Sequence, residues 1–250
     1  MTIQQIKQQL EDIRYEEWVQ IFPALSQDPR AGVQTLLRQK ERHFEREKTR
    51  QADFERRMTY EREWKRGGYS RIVGVDEVGR GPLAGPVVAA AVLLPDGFYL
   101  SGLNDSKKMT KTARDAAYAH IMEVAEVGVG IVEPKTIDDI NIYESTKLAM
   151  TEAIRQVGDV DALLIDAMKL DLDIPQQSLI KGDALSVSIA AASVVAKVVR
   201  DRMMEAYDLT YPGYGFAKNA GYGTEAHIDG LRRLGVTPIH RLTFAPVKHM

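Results

Sequence analysis

Four short apolar runs, Arg71 to Val75, Val87 to Leu94, Gly128 to Val132 and Ala162 to Ile165, set the strongest limit on what this chain can fold into. Each has the length and composition of a buried strand. Only 11 residues, Asp76 to Pro86, separate the first two. A parallel return needs a crossover of about a dozen residues or more, so this first pair must be antiparallel. The later gaps carry helical spacing instead, and helices are expected over Lys111 to Val127, Tyr143 to Gln156, Ala184 to Tyr207 and Thr224 to Leu234. The expected architecture is therefore α/β, a mixed sheet flanked by helices with a C-terminal helical part.

A different texture precedes it. Ile3, Ile6, Leu10 and Ile13 follow helical spacing, a second apolar group gathers at Trp18, Ile21, Phe22 and Leu25, and Pro29 marks a turn. Arg38 to Arg66 is dense in charge, with 11 Lys+Arg against 7 Asp+Glu, and reads as a long solvated helix that does not sustain coiled-coil heptads. Gly67-Gly68 closes it. The expected organisation is an N-terminal helical extension over 1–66 and a second domain over 67–250.

Composition narrows the chemistry. Cysteine is absent among the 250 residues, which removes disulfides, cysteine nucleophiles and thiolate metal sites, and fits a reducing compartment. Any metal must be held by oxygen or imidazole. The longest wholly apolar stretch, Val87 to Leu94, is far short of the ~20 residues of a bilayer span. The first residues lack a signal-peptide profile, so a cytoplasmic protein without membrane contact is expected. A net charge of −2 gives no global pull toward polyanions, and a nucleic-acid partner would need a local site.

Three segments carry candidate chemistry. In IVGVDEVGRGPLAGP an apolar strand ends in Asp76 and Glu77, followed by Gly79, Arg80 and Gly81. Alone, the acids read as the start of a solvated turn. Successive strand residues face opposite sides, so both reach one point only if the strand bends, which Gly79 and Gly81 could permit. A dinucleotide loop is disfavoured by the GxGxxxG spacing and by Pro82. In DALLIDAMKL a second strand ends in Asp166, by itself a common turn cap. In LIKGDALSVSIAAASVVAKVVRD, Asp183 precedes a helix rich in small residues and reads also as its N-cap.

An α/β sheet that gathered Asp76, Glu77, Asp166 and Asp183 at one edge would need compensating charge. Two unit charges about 4 Å apart at an effective dielectric of about 20 repel by about 4 kcal/mol. An all-oxygen set of this kind suits Mg²⁺ or Mn²⁺, which assist phosphoryl transfer.

The strings GVDEVGRGPLAGPVVAAAVLL, LNDSKK, LLIDA, KGD with ASVVAKVVRD, and GYGT with His227 closely resemble those of bacterial ribonuclease HII, in the same order, over about Arg71 to Leu234. Ribonuclease HIII lacks the Gly-Arg-Gly seen at Gly79 to Gly81. The resemblance implies an RNase H-like fold with Asp76, Glu77, Asp166 and Asp183 as catalytic, metal-binding acids for Mg²⁺ or Mn²⁺. It implies that Gly79, Arg80, Gly81 and Tyr222 recognise the ribose beside the cut, and it favours Lys107 over Lys108 and Lys197 as a phosphate contact. The implied substrates are RNA–DNA hybrids and DNA duplexes containing ribonucleotides, cut to leave 3′-hydroxyl and 5′-phosphate ends. Two competing readings are a ribonuclease HIII-like enzyme needing longer RNA tracts and a non-catalytic hybrid-binding module. Residues 1–66 lie outside the resemblance, and a protein partner docking there is a further reading.

Overall fold

The computed structural model describes residues 1–250 and divides by internal contacts into two bodies, Met1–Arg56 and Arg57–Met250. The first body holds α1 (Ile3–Glu11), α2 (Tyr15–Ser26) and most of α3 (Ala31–Arg57). Thr2 opens α1 with a capping box, its hydroxyl accepting from the Gln5 N–H while the Gln5 side chain accepts from the Thr2 N–H. Ile6, Leu10, Trp18, Val33 and Leu37 are buried together, with Phe22 and Phe44 against them. The long charged helix starts earlier than its composition suggests, at Ala31, because Val33 and Leu37 are recruited to that core.

The second body begins with α4 (Thr59–Arg66), separated from α3 at Met58. Tyr60 and Trp64 of α4 pack with Tyr69 against Ile72, Ala162, Leu164, Leu179 and Ile189. The last turns of the charged segment are thus part of the larger body, and the structural division falls before Gly67-Gly68. The remaining elements are β1 (Ile72–Val78), β2 (Val87–Leu93), α5 (Lys111–Val124), β3 (Glu126–Val132), α6 (Pro134–Ile140), α7 (Ile142–Val157), β4 (Ala162–Asp166), β5 (Gln176–Leu179), α8 (Gly182–Leu185), α9 (Val187–Thr210), α10 (Phe216–Asn219) and α11 (Glu225–Leu234).

The five strands form one sheet in the order β3-β2-β1-β4-β5. The pairs β1/β2 and β2/β3 are antiparallel, whereas β1/β4 and β4/β5 are parallel. The mixed sheet flanked by helices is the expected architecture. Strand β5 escapes a sequence reading because QQSL has no apolar alternation; its Gln176 side chain bonds the Leu170 backbone instead. The helix expected from Ala184 is broken at Ser186, whose extended backbone ends α8 and whose hydroxyl caps α9 at the Ile189 N–H.

Alternation along β1 divides the core. Val73 and Val75 join Ala149, Met150 and Ala153 of α7 on one face. Gly74 faces α9, whose Ala190, Ala191, Ala192, Val194, Val195 and Ala196 are fully buried. A Cβ on Gly74 would lie 2.1 Å from the Ser188 carbonyl carbon, so helix and strand touch backbone to backbone. Neither backbone is a flexible end that can yield. Gly74→Ala should therefore cost about 3 kcal/mol or more in denaturant unfolding, at the high end for overpacking. A loss within experimental error of zero would show that α9 can lift from the sheet freely.

Candidate active site

The parallel register of β1 and β4 runs to Val75↔Ile165, which sets Asp76 and Asp166 side by side at the carboxyl ends of the two central strands. Asp76 lies two residues beyond Gly74 and so faces α9. There Ser193 lies close enough to favour the charged form of Asp76, and Ser106 Oγ lies 2.9 Å from Ser193 Oγ. The Glu77 N–H donates to Asp76 Oδ1 at 2.7 Å. Asp166 Oδ1 accepts from the Gly182 N–H at 2.7 Å, tying β4 to the turn that presents Asp183. Asp76 and Asp183 are buried.

Glu77 does not sit where a bent strand would put it. β1 stays paired with β2 through Val78, and the chain turns only at Gly79, with φ +93°. Glu77 Oε1 lies 3.7 Å from Arg80 Nη1, and its Oε2 is buried without a hydrogen-bond partner. As the side chains stand, no three acids or histidines converge closely enough to enclose an ion. They are joined through their fields. Burial raises the Asp76 carboxyl well above its usual range, with Glu77 and Asp166 adding to the rise and Ser193 opposing it. Burial also raises Glu77, against the pull of Arg80 and Lys107 and with the push of Asp166. Asp183 is raised by burial, then by Asp105 and Asp166, and lowered by Lys107.

Lys107, in a short 3₁₀ turn over Ser106–Lys108, is therefore the cation that two of the acids share. Lys108 leans toward Asp105 at 3.9 Å, and Lys197 is paired with Asp201 at 2.7 Å along α9. Asp105 is a fifth acid that the sequence reading left inside LNDSKK; only the fold brings it toward Asp183. Hard oxygen donors, mutual repulsion and a buried carboxylate oxygen with no donor make this group a fit for a hard divalent cation.

Beside the acids, the Gly79 to Gly81 loop is held from behind by two buried arginines. Arg200 donates to the carbonyls of Pro86, Ala220 and Ala84 at 2.9, 2.9 and 3.1 Å. Arg241 donates through Nη2 to Gly79 at 2.5 Å, through Nη1 to Arg80 at 2.9 Å, and through Nε and Nη2 to Gly85 at 3.0 and 2.8 Å. Burial lowers Arg200 to about 10 and Arg241 to about 9, so both remain charged at neutral pH. A Cβ on Gly79 would enter the Arg200 side chain, at 2.2 Å from Nε.

Tyr222 stands against this loop, its Cε1 3.6 Å from where a Gly81 Cβ would lie, and is 47% exposed. Its backbone is fixed by a buried histidine pair. The Thr237 N–H donates to His240 Nδ1, which leaves His240 Nε2 to donate to His227 Nε2 at 3.0 Å and His227 Nδ1 to donate to the Tyr222 carbonyl at 2.9 Å. Both rings are thus neutral in a fixed tautomer. Neither arginine nor this relay is legible in sequence, because Arg200 sits in a helix and His240-Arg241 in a tail with no periodicity.

These groups give stability opposite pH trends. The folded chain holds the Asp76 proton to a higher pH than the unfolded chain does, so this contribution is full in acid and is lost as pH rises through the folded value. Burial keeps His240 at about 4 and His227 below its usual value, so their contribution is lost as pH falls from about 6.5 toward about 4. Without divalent cation, Asp76→Asn should raise Tm at pH 7 by a few degrees, about 1 kcal/mol or more, with the gain shrinking toward pH 4. Calorimetry across that range checks it, and a lowered Tm at pH 7 would contradict the repulsion described.

Comparison with known proteins places this geometry. The ribonuclease HII family model matches residues 73–247, and the ribonuclease HII N-terminal domain model matches residues 2–65. A curated ribonuclease HII from Leuconostoc mesenteroides is 54% identical over 252 aligned positions, 99% of this chain and 98% of that protein. Among solved structures, the ribonuclease HII of Archaeoglobus fulgidus, determined in a complex with PCNA, aligns with a TM-score of 0.60 at 22% identity, covering 70% of this chain and 95% of that one. Bst-RNase HIII in complex with Mn²⁺ aligns with a TM-score of 0.52 at 23% identity, covering 71% and 68%. These two share the fold. With both family models matched in order and a relative alike from end to end, the chain belongs to the ribonuclease HII family and is a ribonuclease H enzyme.

Proposed function

We propose that the chain is a divalent-metal-dependent endonuclease that hydrolyses the RNA strand of RNA–DNA hybrids and single ribonucleotides embedded in duplex DNA, leaving 3′-hydroxyl and 5′-phosphate ends. The observation that carries this reading is the placement of Asp76 beside Asp166 at the ends of two parallel strands, next to a loop against which Tyr222 stands. Asp76, Glu77, Asp166 and Asp183 would hold Mg²⁺ or Mn²⁺. A bound ion of this type supplies charge stabilisation at the phosphate and eases deprotonation of the attacking water. Bst-RNase HIII, of similar fold, is a precedent for Mn²⁺.

The chain's own groups do the rest. Gly79 and Gly81 lack side chains, so their backbone can approach a sugar closely, and the Tyr222 ring offers a flat face with a hydroxyl at its end. Together with Arg80 they read the 2′-hydroxyl, the group that separates a ribonucleotide from its DNA neighbours. Arg241 fixes that loop by its carbonyls, so the reading groups are preorganised. Lys107, exposed beside the acids, neutralises a backbone phosphate.

The excess of positive charge over Arg38 to Arg66 extends the contact with nucleic acid, while the first body offers a surface to a protein partner. The absence of cysteine agrees with the cytoplasm, and no helix is long and apolar enough to cross a membrane. The ribonuclease HIII-like alternative is disfavoured by Gly79-Arg80-Gly81. A pure hybrid-binding module would gain nothing from acids facing a phosphate backbone.

A duplex with one embedded ribonucleotide, run with Mg²⁺, Mn²⁺ and chelator, tests the proposal. Wild type should cut at the ribonucleotide with either metal and not with chelator, and all-DNA duplex should react more slowly by about 10⁴-fold or more. Asp166→Asn should lose about a hundredfold or more in turnover, at least what outer-shell partners of a metal cost. Tyr222→Ala should lose most activity on the single ribonucleotide and Tyr222→Phe less. Full activity of Asp166→Asn, or of the wild type in chelator, would sink the assignment.

A further inference from the structure

Glu61 is a carboxylate buried at 4% exposure on α4, inside the segment that the family's N-terminal domain model covers. Its Oε1 accepts three bonds, from Ser186 Oγ at 2.6 Å, the Ser188 N–H at 2.9 Å and Ser188 Oγ at 2.8 Å. Its Oε2 is buried with no hydrogen-bond partner. Leaving a buried carboxylate oxygen unpaired is a poor way to stabilise a fold. What the carboxylate does supply is direction. It grips the break between α8 and α9 and faces the positive end of a 24-residue helix dipole.

That break sits between the groups that make the site. Ser186 must stay extended to end α8, which carries Asp183, and its own N–H closes α8 on the Gly182 carbonyl at 2.8 Å. Gly182 in turn donates to Asp166. On the other side, α9 carries Ser193 against Asp76. The same helix α4 reaches the neighbouring strand as well, where Trp64 Nε1 donates to Gln177 Oε1 of β5 at 2.9 Å. Asp183 is thus three residues from Ser186, Asp166 is joined to Ser186 through Gly182, and Asp76 faces the helix that starts at the break.

We propose that Glu61 is a positioning residue for the metal-binding acids: by fixing the α8–α9 break it sets the relation of Asp183 to Asp166 and Asp76. The N-terminal family segment then contributes to the chemical step as well as to binding. This rests on the assignment of those acids made above. Loss of Glu61 leaves three donors unpaired and lets Ser186 move, so metal affinity and kcat should fall together while KM for the duplex stays close to wild type.

The test uses the full chain. Mn²⁺ binding is measured by calorimetry without substrate, kcat and KM are measured on the single-ribonucleotide duplex, and folding is checked by circular dichroism. Glu61→Ala should weaken Mn²⁺ binding and lower kcat by about tenfold or more, the range seen when outer-shell partners of a metal are removed, with KM within about twofold. Glu61→Gln, which keeps an acceptor oxygen at the same place, should restore most of both. Ser188→Ala removes one hydroxyl donor and leaves two bonds, so it should show the same pattern at smaller size if Glu61→Ala does not fold. A folded Glu61→Ala with wild-type Mn²⁺ affinity and kcat, or one that loses only Tm, overturns the inference, as does an unaltered Ser188→Ala when Glu61→Ala is unfolded. Asp183→Asn serves as the reference. If it binds Mn²⁺ as wild type does, the acid assignment itself fails; if it is weakened and Glu61→Ala is not, only the positioning role fails.

Discussion

The close approach of α9 to β1 is the constraint on which the site depends. At Gly74 the helix backbone lies against the strand with no side chain between them, and two residues later the same face presents Asp76 to Ser193. A larger residue at 74 would push out the helix that holds Asp76. The parallel register with β4 then fixes Asp166 beside Asp76, and the Gly182 bond to Asp166 brings Asp183 after it. A close backbone contact thus brings like charges together, and their carboxyls are raised by burial and by one another.

The second device is a pair of buried cations held by backbone carbonyls. Arg200 and Arg241 are fully buried and donate to backbone carbonyls. A guanidinium presents its donors in a rigid plane, so each arginine fixes several carbonyls of an irregular loop at once. A loop of Gly, Pro and Arg has no ladder of its own, and this is where its backbone acceptors find partners. The neutral histidine relay does the same for the turn that carries Tyr222. Loop and tyrosine are therefore set by the C-terminal pair His240-Arg241, far away in sequence.

Much of this was legible in the chain because strand signals there are strong. The apolar runs before Asp76 and Asp166 are dense enough that their strands needed no context, and the short Asp76 to Pro86 connection forced the antiparallel pair. The long-range terms were not legible. Strand β5 is polar and stands only because β4 offers an edge. The break at Ser186 interrupts a run of good helix formers, and Glu61, which grips it, lies in a stretch whose composition reads as solvated charge. Buried Arg200, Arg241 and Glu61 look like surface residues until the fold surrounds them. The strand does not bend between Asp76 and Glu77, because pairing with β2 runs on to Val78.

The central claim is that Asp76 and Asp166 form one metal-binding edge. Crystals of the full chain soaked in Mn²⁺ and measured at the manganese absorption edge test it most directly. The account predicts an anomalous peak within coordination distance, about 2.1 Å, of carboxylate oxygens from both residues. A peak bound elsewhere, or none at a concentration that supports cleavage, would contradict it.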